Sequence, residues 1–307
     1  MKKIFIDGSA GTTGLRIAER LGKRQDLELL RIPEALRKNP GARREFMNRA
    51  DVVFLCLPDD AVPEAVSMLE NPNTAVIDTS TVHRTAADWV YGFPELHGQR
   101  NNLKAAKRIA NPGCHASGFI ALIAPLVQAG VLAKDAKLSC FSITGYSGGG
   151  KKMIAEYETE NRSSLLNAPR MYGLTQTHKH LPEMVKLCGL KRAPVFCPIV
   201  ADFYAGMEVT VSLFAEDIPA GISEIREIYR SYYQSGVVRV TEEAGQNGFL
   251  SAAAFSGRDD MEISVCGNAE RILLVSRFDN LGKGASGAAI QNMNLLLGVD
   301  ETCGMVV

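Results

Sequence analysis

The chain has no surplus of charge, no cysteine pair at metal or redox spacing and no long apolar run, and each absence narrows what it can do. Lysine plus arginine and aspartate plus glutamate both number 34 in 307 residues. No global field therefore draws the protein to nucleic acid or to an acidic membrane surface, and any anion recognition is local. Seven cysteines, at 56, 114, 140, 188, 197, 266 and 303, are an odd number, scattered, without a Cys-x-x-Cys pair. That argues against a disulfide framework and a zinc site and for a reducing compartment; no metal is expected. No stretch reaches the roughly 18 apolar residues of a membrane span. The start, Met1-Lys-Lys-Ile-Phe-Ile-Asp-Gly8, runs straight into a strand-like pattern rather than a signal peptide, so a cytoplasmic protein is expected. Internal repeats and low-complexity linkers are also missing.

What is present is an ordinary globular composition, 46% apolar and 22% charged, long enough for two domains. Apolar runs at 3–7, 27–31, 50–58 and 74–78 alternate with helical stretches at 15–21 and 61–69. This pattern predicts a doubly wound α/β domain with a parallel sheet. Beyond residue 114 the texture changes. Segments at 137–144, 194–203, 206–215, 236–240, 261–266 and 273–277 alternate or carry β-branched residues, with helices around 119–129 and 223–234. They predict a larger mixed sheet. A final helix over 284–297, with Ala288, Ala289, Met293, Leu296 and Leu297 as its apolar positions, is expected to pack back on the first domain. The expected boundaries are 1–113 with 280–307 for a dinucleotide-binding domain, and 114–279 for a catalytic α+β domain.

Gly8-x-x-Gly11-x-x-Gly14 follows the first strand and opens a helix. In that context glycines let the backbone approach a pyrophosphate, and the helix N-terminus supplies donors and positive potential. Ser9, Thr12 and Thr13 add hydroxyls. The alternative is a plain tight turn between strand and helix. The second strand ends at Arg31 rather than at an acidic residue. An arginine complements the 2′-phosphate of NADP better than the ribose diol of NAD, with Glu34 close by as the competing acid.

Three further segments carry reactive groups. In Asn111-Pro112-Gly113-Cys114 a turn runs into an apolar helical stretch, placing Cys114 at or just before a helix N-terminus. There the helix dipole and unpaired N–H groups favour a thiolate, and the same groups can cradle an oxyanion. The bland alternative is a buried free cysteine. Thr175-Gln-Thr-His178-Lys-His180-Leu-Pro-Glu183 brings two histidines to one side of an extended segment, with Pro182 suited to the start of a helix. A histidine is the usual acid/base near neutral pH, and Glu183 either caps that helix or orients an imidazole. Tyr146-Ser147-Gly148-Gly149-Gly150-Lys151-Lys152 reads as an anion nest or an exposed flexible loop; it lacks P-loop spacing.

Taken together, the glycine loop, Asn111-Pro-Gly-Cys114 and His178-x-His180-x-Pro-Glu183 resemble the N-acetyl-gamma-glutamyl-phosphate reductases, in their shorter form. Val76-Ile-Asp78-Thr-Ser80-x-x-x-Arg84 and Asp279-Asn280-Leu-Gly-Lys-Gly284-Ala-Ser-Gly-Ala-Ala-Ile-Gln-Asn-Met-Asn294 belong to the same resemblance. It runs nearly end to end. Around the cysteine, His115 and Ser117 stand where the longer members carry an aromatic residue and a threonine. The resemblance implies a Rossmann NADP domain plus a mixed-sheet domain of the glyceraldehyde-phosphate/semialdehyde dehydrogenase type. It further implies attack of the Cys114 thiolate on an acyl phosphate, loss of phosphate to leave a thioester, and hydride reduction by NADPH to a semialdehyde. His180 is then the acid/base and Glu183 its orienting partner. His178, Ser147, Gly148 and Gly149 become substrate contacts, and Ser80 and Asn280 line the nicotinamide side. A homodimer or homotetramer acting on a small acyl phosphate is expected. A related aspartyl or triose phosphate enzyme is the nearest alternative, a non-catalytic NADP-binding sensor the alternative of another class, and a cysteine hydrolase a distant third.

Overall fold

The structure, a computed structural model, describes residues 1–307. The chain divides into two compact units: Met1–Pro94 with Gly98–Pro112 and Ala285–Met305, and Glu95–His97 with Gly113–Gly284 and Val306–Val307.

In the first unit, six strands form one parallel sheet: β1 (Lys2–Asp7), β2 (Leu27–Leu30), β3 (Val52–Leu55), β4 (Ala75–Asp78), β5 (Val90–Tyr91) and β6 (Arg108–Ala110), in the order β2-β1-β3-β4-β6-β5. Helices α1 (Thr12–Leu21), α2 (Pro40–Arg49), α3 (Val62–Ser67) and α4 (Gln99–Ala105) connect them. Successive strand residues point to opposite faces, and both faces are buried. Ile4, Ile6 and Phe54 pack with Ile17 and Leu21 of α1, while Phe5, Val53 and Leu55 pack with Met47 of α2 and Val62 of α3. That double burial is why β3 reads as an unbroken apolar run. α2 has no apolar stripe; its two buried side chains are Arg43 and Met47, so hydrophobic periodicity gave no warning of it.

The second unit carries α5 (Cys114–Gln128), β7 (Ser139–Gly145), α6 (Gly150–Glu158), β8 (Arg170–Met171), α7 (Leu181–Cys188), β9 (Val195–Ala201), β10 (Met207–Phe214), α8 (Ile222–Tyr232), β11 (Val238–Thr241), β12 (Met261–Gly267) and β13 (Arg271–Phe278). Its seven-stranded mixed sheet has the order β11-β12-β13-β10-β7-β9-β8. α5 is buried almost all round, lying between β10 and β13 on one side and α7 and α8 on the other. The opposite face of this sheet exposes Phe141, Val195 and Leu273. After β13 a π-helical turn, Gly282–Ser286, leads into α9 (Gly287–Leu297). Ala289, Ile290 and Met293 of α9 sit in the apolar core of the first unit with Ile17 of α1. The chain thus returns to the domain it began in, as the apolar positions of its last helix require.

Candidate active site

The glycine loop of the first unit does two separate jobs. Gly8 has φ +86°, and a Cβ there would lie 2.2 Å from the Cys56 carbonyl oxygen; a Cβ on Gly14 would lie 2.5 Å from the Gly8 oxygen. These two glycines make the turn itself possible. Gly11 meets nothing closer than 3.4 Å. It is the N-cap of α1, and no side chain caps that helix. The loop therefore presents open backbone at a helix N-terminus, which fits a diphosphate. Asp7, immediately before the loop, would repel such a group, but Arg43 of α2 neutralises it through Nη2 at 2.9 Å from Oδ2, both side chains buried. A cavity of about 350 Å³ adjoins the loop, lined among others by Ser9, Leu15 and Leu29, with Arg31 its basic residue and Glu19 its acidic one. Glu34, the competing acid of the sequence reading, is engaged by Arg37 at 3.0 Å. At the end of β4, Ser80 donates its hydroxyl to the fully buried Asp78 at 2.8 Å, and His83 Nδ1 lies 2.7 Å from the same carboxylate. Ser80 thus braces the loop after β4.

In the second unit Cys114 is the first residue of α5, Gly113 is its N-cap, and no side chain caps the helix. The thiol is half-buried. The Gly113 N–H donates to Glu183 Oε2 at 3.1 Å, so the carboxylate of α7 holds the turn that delivers the cysteine. Glu183 Oε1 lies 3.9 Å from His180 Nε2, close enough for charge but too long for a hydrogen bond. A Cβ on Gly284 would come within 2.9 Å of the Cys114 Cβ; only glycine lets that segment pass the cysteine. Burial pushes the Cys56 thiol up to about 12 and raises Cys140 and Cys188 further, so those three are inert at neutral pH.

Three of the chain's five histidines converge beside this turn. The ring centroids of His178 and His180 are 4.8 Å apart, those of His115 and His180 5.5 Å, and those of His115 and His178 5.8 Å. The loop that carries two of them is fixed to β9: Tyr172 donates its N–H to the Pro198 carbonyl, and the Gln176 amide both donates to and accepts from the backbone of Phe196. His178 Nδ1 accepts from the His180 N–H at 3.3 Å, which leaves Nε2 as its protonated, donating nitrogen. His180 is buried at the N-cap of α7. His115 is buried between Ser142 and Tyr172. No group of histidine, cysteine or acidic side chains here is disposed to hold a metal ion.

Burial pushes the His115 imidazole down to about 3. The unfolded chain binds this proton near 6.5 and the folded chain does not, so stability rises with pH between those values and the contribution is complete above about 6.5. Acidification from pH 6.5 to 4.5 is expected to cost about 2 kcal/mol from this group alone. Urea titrations of the wild type and of His115→Gln should show the variant's stability falling less steeply over that interval; parallel slopes would refute the assignment.

The glycine turn after β7 is more structural than its sequence suggests. Ser147 is buried, its N–H donates to the Tyr204 carbonyl, and its hydroxyl accepts from Asn280 Nδ2 at 3.1 Å. The Ser147 N–H is therefore committed within the fold and does not join an anion nest. Gly148 and Gly149 are exposed, and Gly149 caps α6 without side-chain help. Asn280 Oδ1 accepts from the Gly206 N–H at 2.9 Å, so both ends of its amide brace the second unit. Two features of the site had no legible sequence signal: Tyr172, and a fully buried ion pair in which Lys283 Nζ lies 2.7 Å from Glu95 Oε2. Lys283 immediately precedes Gly284, the residue packed on Cys114.

A six-stranded parallel dinucleotide fold, a mixed seven-stranded second domain and a cysteine at a helix start beside histidines define the semialdehyde dehydrogenase class. The family described as "Semialdehyde dehydrogenase, NAD binding domain" matches residues 16–106, and "Semialdehyde dehydrogenase, dimerisation domain" matches residues 114–280. Among solved structures, aspartate semialdehyde dehydrogenase II from Vibrio cholerae is similar over 97% of this chain and 99% of its own, with TM-score 0.69 and 16% identity. The Francisella tularensis aspartate semialdehyde dehydrogenase has TM-score 0.70 at 14% identity, over 97% of this chain and 100% of its own. At such identities they establish the fold alone. Sequence relatives narrow the class. N-acetyl-gamma-glutamyl-phosphate reductase of Sinorhizobium medicae is 47% identical over 96% of this chain and 98% of its own length; that of Brucella ovis is 46% identical over 96% and 99%. The chain belongs to the N-acetyl-gamma-glutamyl-phosphate reductase family.

Proposed function

We propose that this protein reduces N-acetyl-gamma-glutamyl phosphate, with NADPH, to N-acetylglutamate 5-semialdehyde and phosphate, a step of arginine biosynthesis. The observation that carries this reading is Cys114 at the uncapped start of α5, tied through Gly113 to Glu183 and flanked by the histidine cluster, in a chain of this family. The Cys114 sulfur attacks the γ-carbonyl carbon, the bond from that carbon to the phosphate oxygen breaks, and a thioester forms. Backbone N–H groups in the first turn of α5 stabilise the oxyanion of each tetrahedral stage. Bound NADPH supplies the hydride for reduction. His180 gives a proton to the oxygen of the resulting thiohemiacetal and takes it back as the carbon–sulfur bond breaks, freeing the aldehyde and the Cys114 thiolate. Glu183 orients His180 and the turn together. His178, through Nε2–H, and the exposed Gly148–Gly149 backbone are our assignments for the substrate's anionic groups.

In the first unit Gly8, Ser9, Gly11, Thr12, Thr13 and Gly14 are assigned to the cofactor's diphosphate, and Arg31 to its 2′-phosphate, since Arg31 is exposed on the adjoining cavity. Arg31→Asp is expected to raise the KM for NADPH at least about tenfold while that for NADH changes little, one lost charge-assisted contact being of that size; equal changes in steady-state assays would remove the assignment. For the reaction itself, phosphate-dependent reduction of NADP is measured with N-acetylglutamate semialdehyde, aspartate semialdehyde and glyceraldehyde 3-phosphate in parallel. NADPH formed with the acetylated substrate alone supports the reading; turnover with another aldehyde moves the substrate, and silence with all three refutes it.

No helix is long and apolar enough to cross a membrane, and all seven cysteines are free thiols; a reducing cytoplasm suits both. Phe141, Val195 and Leu273 on the open face of the second sheet, in a domain whose family is described by dimerisation, support association with a second copy as a homodimer, or as a homotetramer built from it. Sedimentation equilibrium at micromolar concentration checks this, and a monomer would refute it.

A further inference from the structure

His178 is carried on a loop, whereas His115 lies within α5 and His180 caps α7. Its half-buried ring is boxed by Phe196 of β9, His115 and Tyr172, at centroid distances of 5.1, 5.8 and 5.9 Å. The same loop contains Gln176 at φ +57°. A residue with a side chain keeps that left-handed conformation only where its surroundings fix it at several points. Two of those points lie on β9. The Tyr172 N–H donates to the Pro198 carbonyl at 3.0 Å, and the Gln176 amide holds the Phe196 backbone at 2.7 and 2.8 Å. A third lies on α5, away from that strand. His115 Nε2 is 2.7 Å from the Tyr172 hydroxyl oxygen, and its Nδ1 is 2.6 Å from Ser142 Oγ on β7. With both nitrogens engaged, the imidazole cannot turn over without losing both bonds.

We propose that His115 is a positioning residue for substrate binding: held by Ser142, it latches the Tyr172 hydroxyl to α5 and so fixes the loop on which His178 meets the substrate. Anchors along one strand edge leave a loop free to swing about that strand, and an anchor off the strand removes the swing. Tyr172 is joined at both ends, its backbone to β9 and its hydroxyl to α5, and its ring stands against His178. A swing would also part His178 Nδ1 from the His180 N–H, a contact of 3.3 Å. With that contact goes the single tautomer that keeps Nε2–H for the substrate. The residue after the cysteine thus acts on binding, through the loop. Burial pushes its imidazole down to about 3, so the latch stays neutral and closed near neutral pH. That His178 is a substrate contact rests on the reductase reading; the latch itself does not, and its first test needs no turnover.

The first test is spectroscopic. In the whole protein with 15N-labelled histidine, the His178 signal, assigned by its loss in His178→Asn, is expected to show a bare Nδ1 and a protonated Nε2 alone. His115→Phe and Tyr172→Phe each keep a ring in place and lose the hydrogen bond between them. In both, His178 is expected to exchange between its two tautomers; a single tautomer retained in both overturns the proposal. The second test is kinetic. Both variants are expected to raise the KM for N-acetylglutamate semialdehyde about three- to tenfold, the scale of one lost neutral hydrogen bond, with kcat lowered less than KM is raised. The double variant is expected to go no further than either single one, because the two residues make one bond. His115→Gln, whose amide can again reach the Tyr172 hydroxyl, is expected to recover most of the KM. Additive effects, or a loss confined to kcat, overturn the proposal. If none of the aldehydes is turned over, the reductase reading fails and the tautomer result still decides the latch.

Discussion

Cys114→Ser is expected to abolish phosphate-dependent NADP reduction, with kcat down by at least about 10³-fold, the scale of losing a nucleophile, while the first unit still binds NADPH. The serine hydroxyl is similar in size, so Gly284 still passes at the same distance and the helix start is kept; what goes is the thiolate. His180→Asn is expected to lower kcat by about 10²–10⁴-fold, the range for a general acid/base. His178→Asn should act chiefly on KM, because its Nδ1 is already committed to the His180 N–H and does not serve as the acid/base. Steady-state kinetics with N-acetylglutamate semialdehyde, alongside fluorescence titration with NADPH, separates these effects. Normal turnover in Cys114→Ser would remove the thioester mechanism, and a larger kcat loss in His178→Asn than in His180→Asn would exchange the two histidines.

Lys283→Met is expected to be the most destabilising single change. The Lys283–Glu95 pair has side-chain exposures of 0% and 1%, and removing the cation leaves a carboxylate buried without its counter-charge. Breaking such a pair costs about 3–5 kcal/mol, a fall in melting temperature of roughly 10 °C for a unit of this size. The double variant Lys283→Met/Glu95→Leu should recover most of that loss, since the penalty lies in the stranded charge rather than in the absence of the bridge. Scanning calorimetry on the three proteins decides it: a single variant that melts with the wild type would show that Glu95 finds another partner. Because Lys283 adjoins Gly284, the single variant is also expected to turn over more slowly at temperatures where it remains folded.

The elements legible in the sequence were those whose burial imposes a period or a run. β1, β3 and β4 are apolar on both faces and read as parallel strands; α9 carries its core positions in order. α2 was not legible because its register depends on Arg43 reaching Asp7 and not on an apolar stripe. α6 was hidden by the glycines that open it, and β5 and β8, two residues each, are too short to show a pattern. The same division holds in the site. Cys114 announced itself through Asn111-Pro112-Gly113 and the apolar helix behind it. His115 beside it gave no sign of being a buried, neutral link between a serine on β7 and a tyrosine before α7.

The sequence by itself therefore determined the class of fold and marked out the glycine loop, the cysteine turn and the pair of histidines, because each is encoded in a short contiguous stretch whose backbone chemistry is local. Turns, helix starts and strand periods depend on neighbours a few residues away, and those can be read in order. Only the tertiary structure decided which groups neutralise one another across the chain: Arg43 on Asp7, Lys283 on Glu95, Glu183 on the Gly113 N–H. It likewise decided that Ser147 and Asn280 brace the second unit, with the Ser147 N–H turned inward to a carbonyl. Partners 36, 70 or 188 positions apart leave no mark on local pattern. Burial then sets their energies, since a charge or donor withdrawn from water must find its complement wherever the fold brings one.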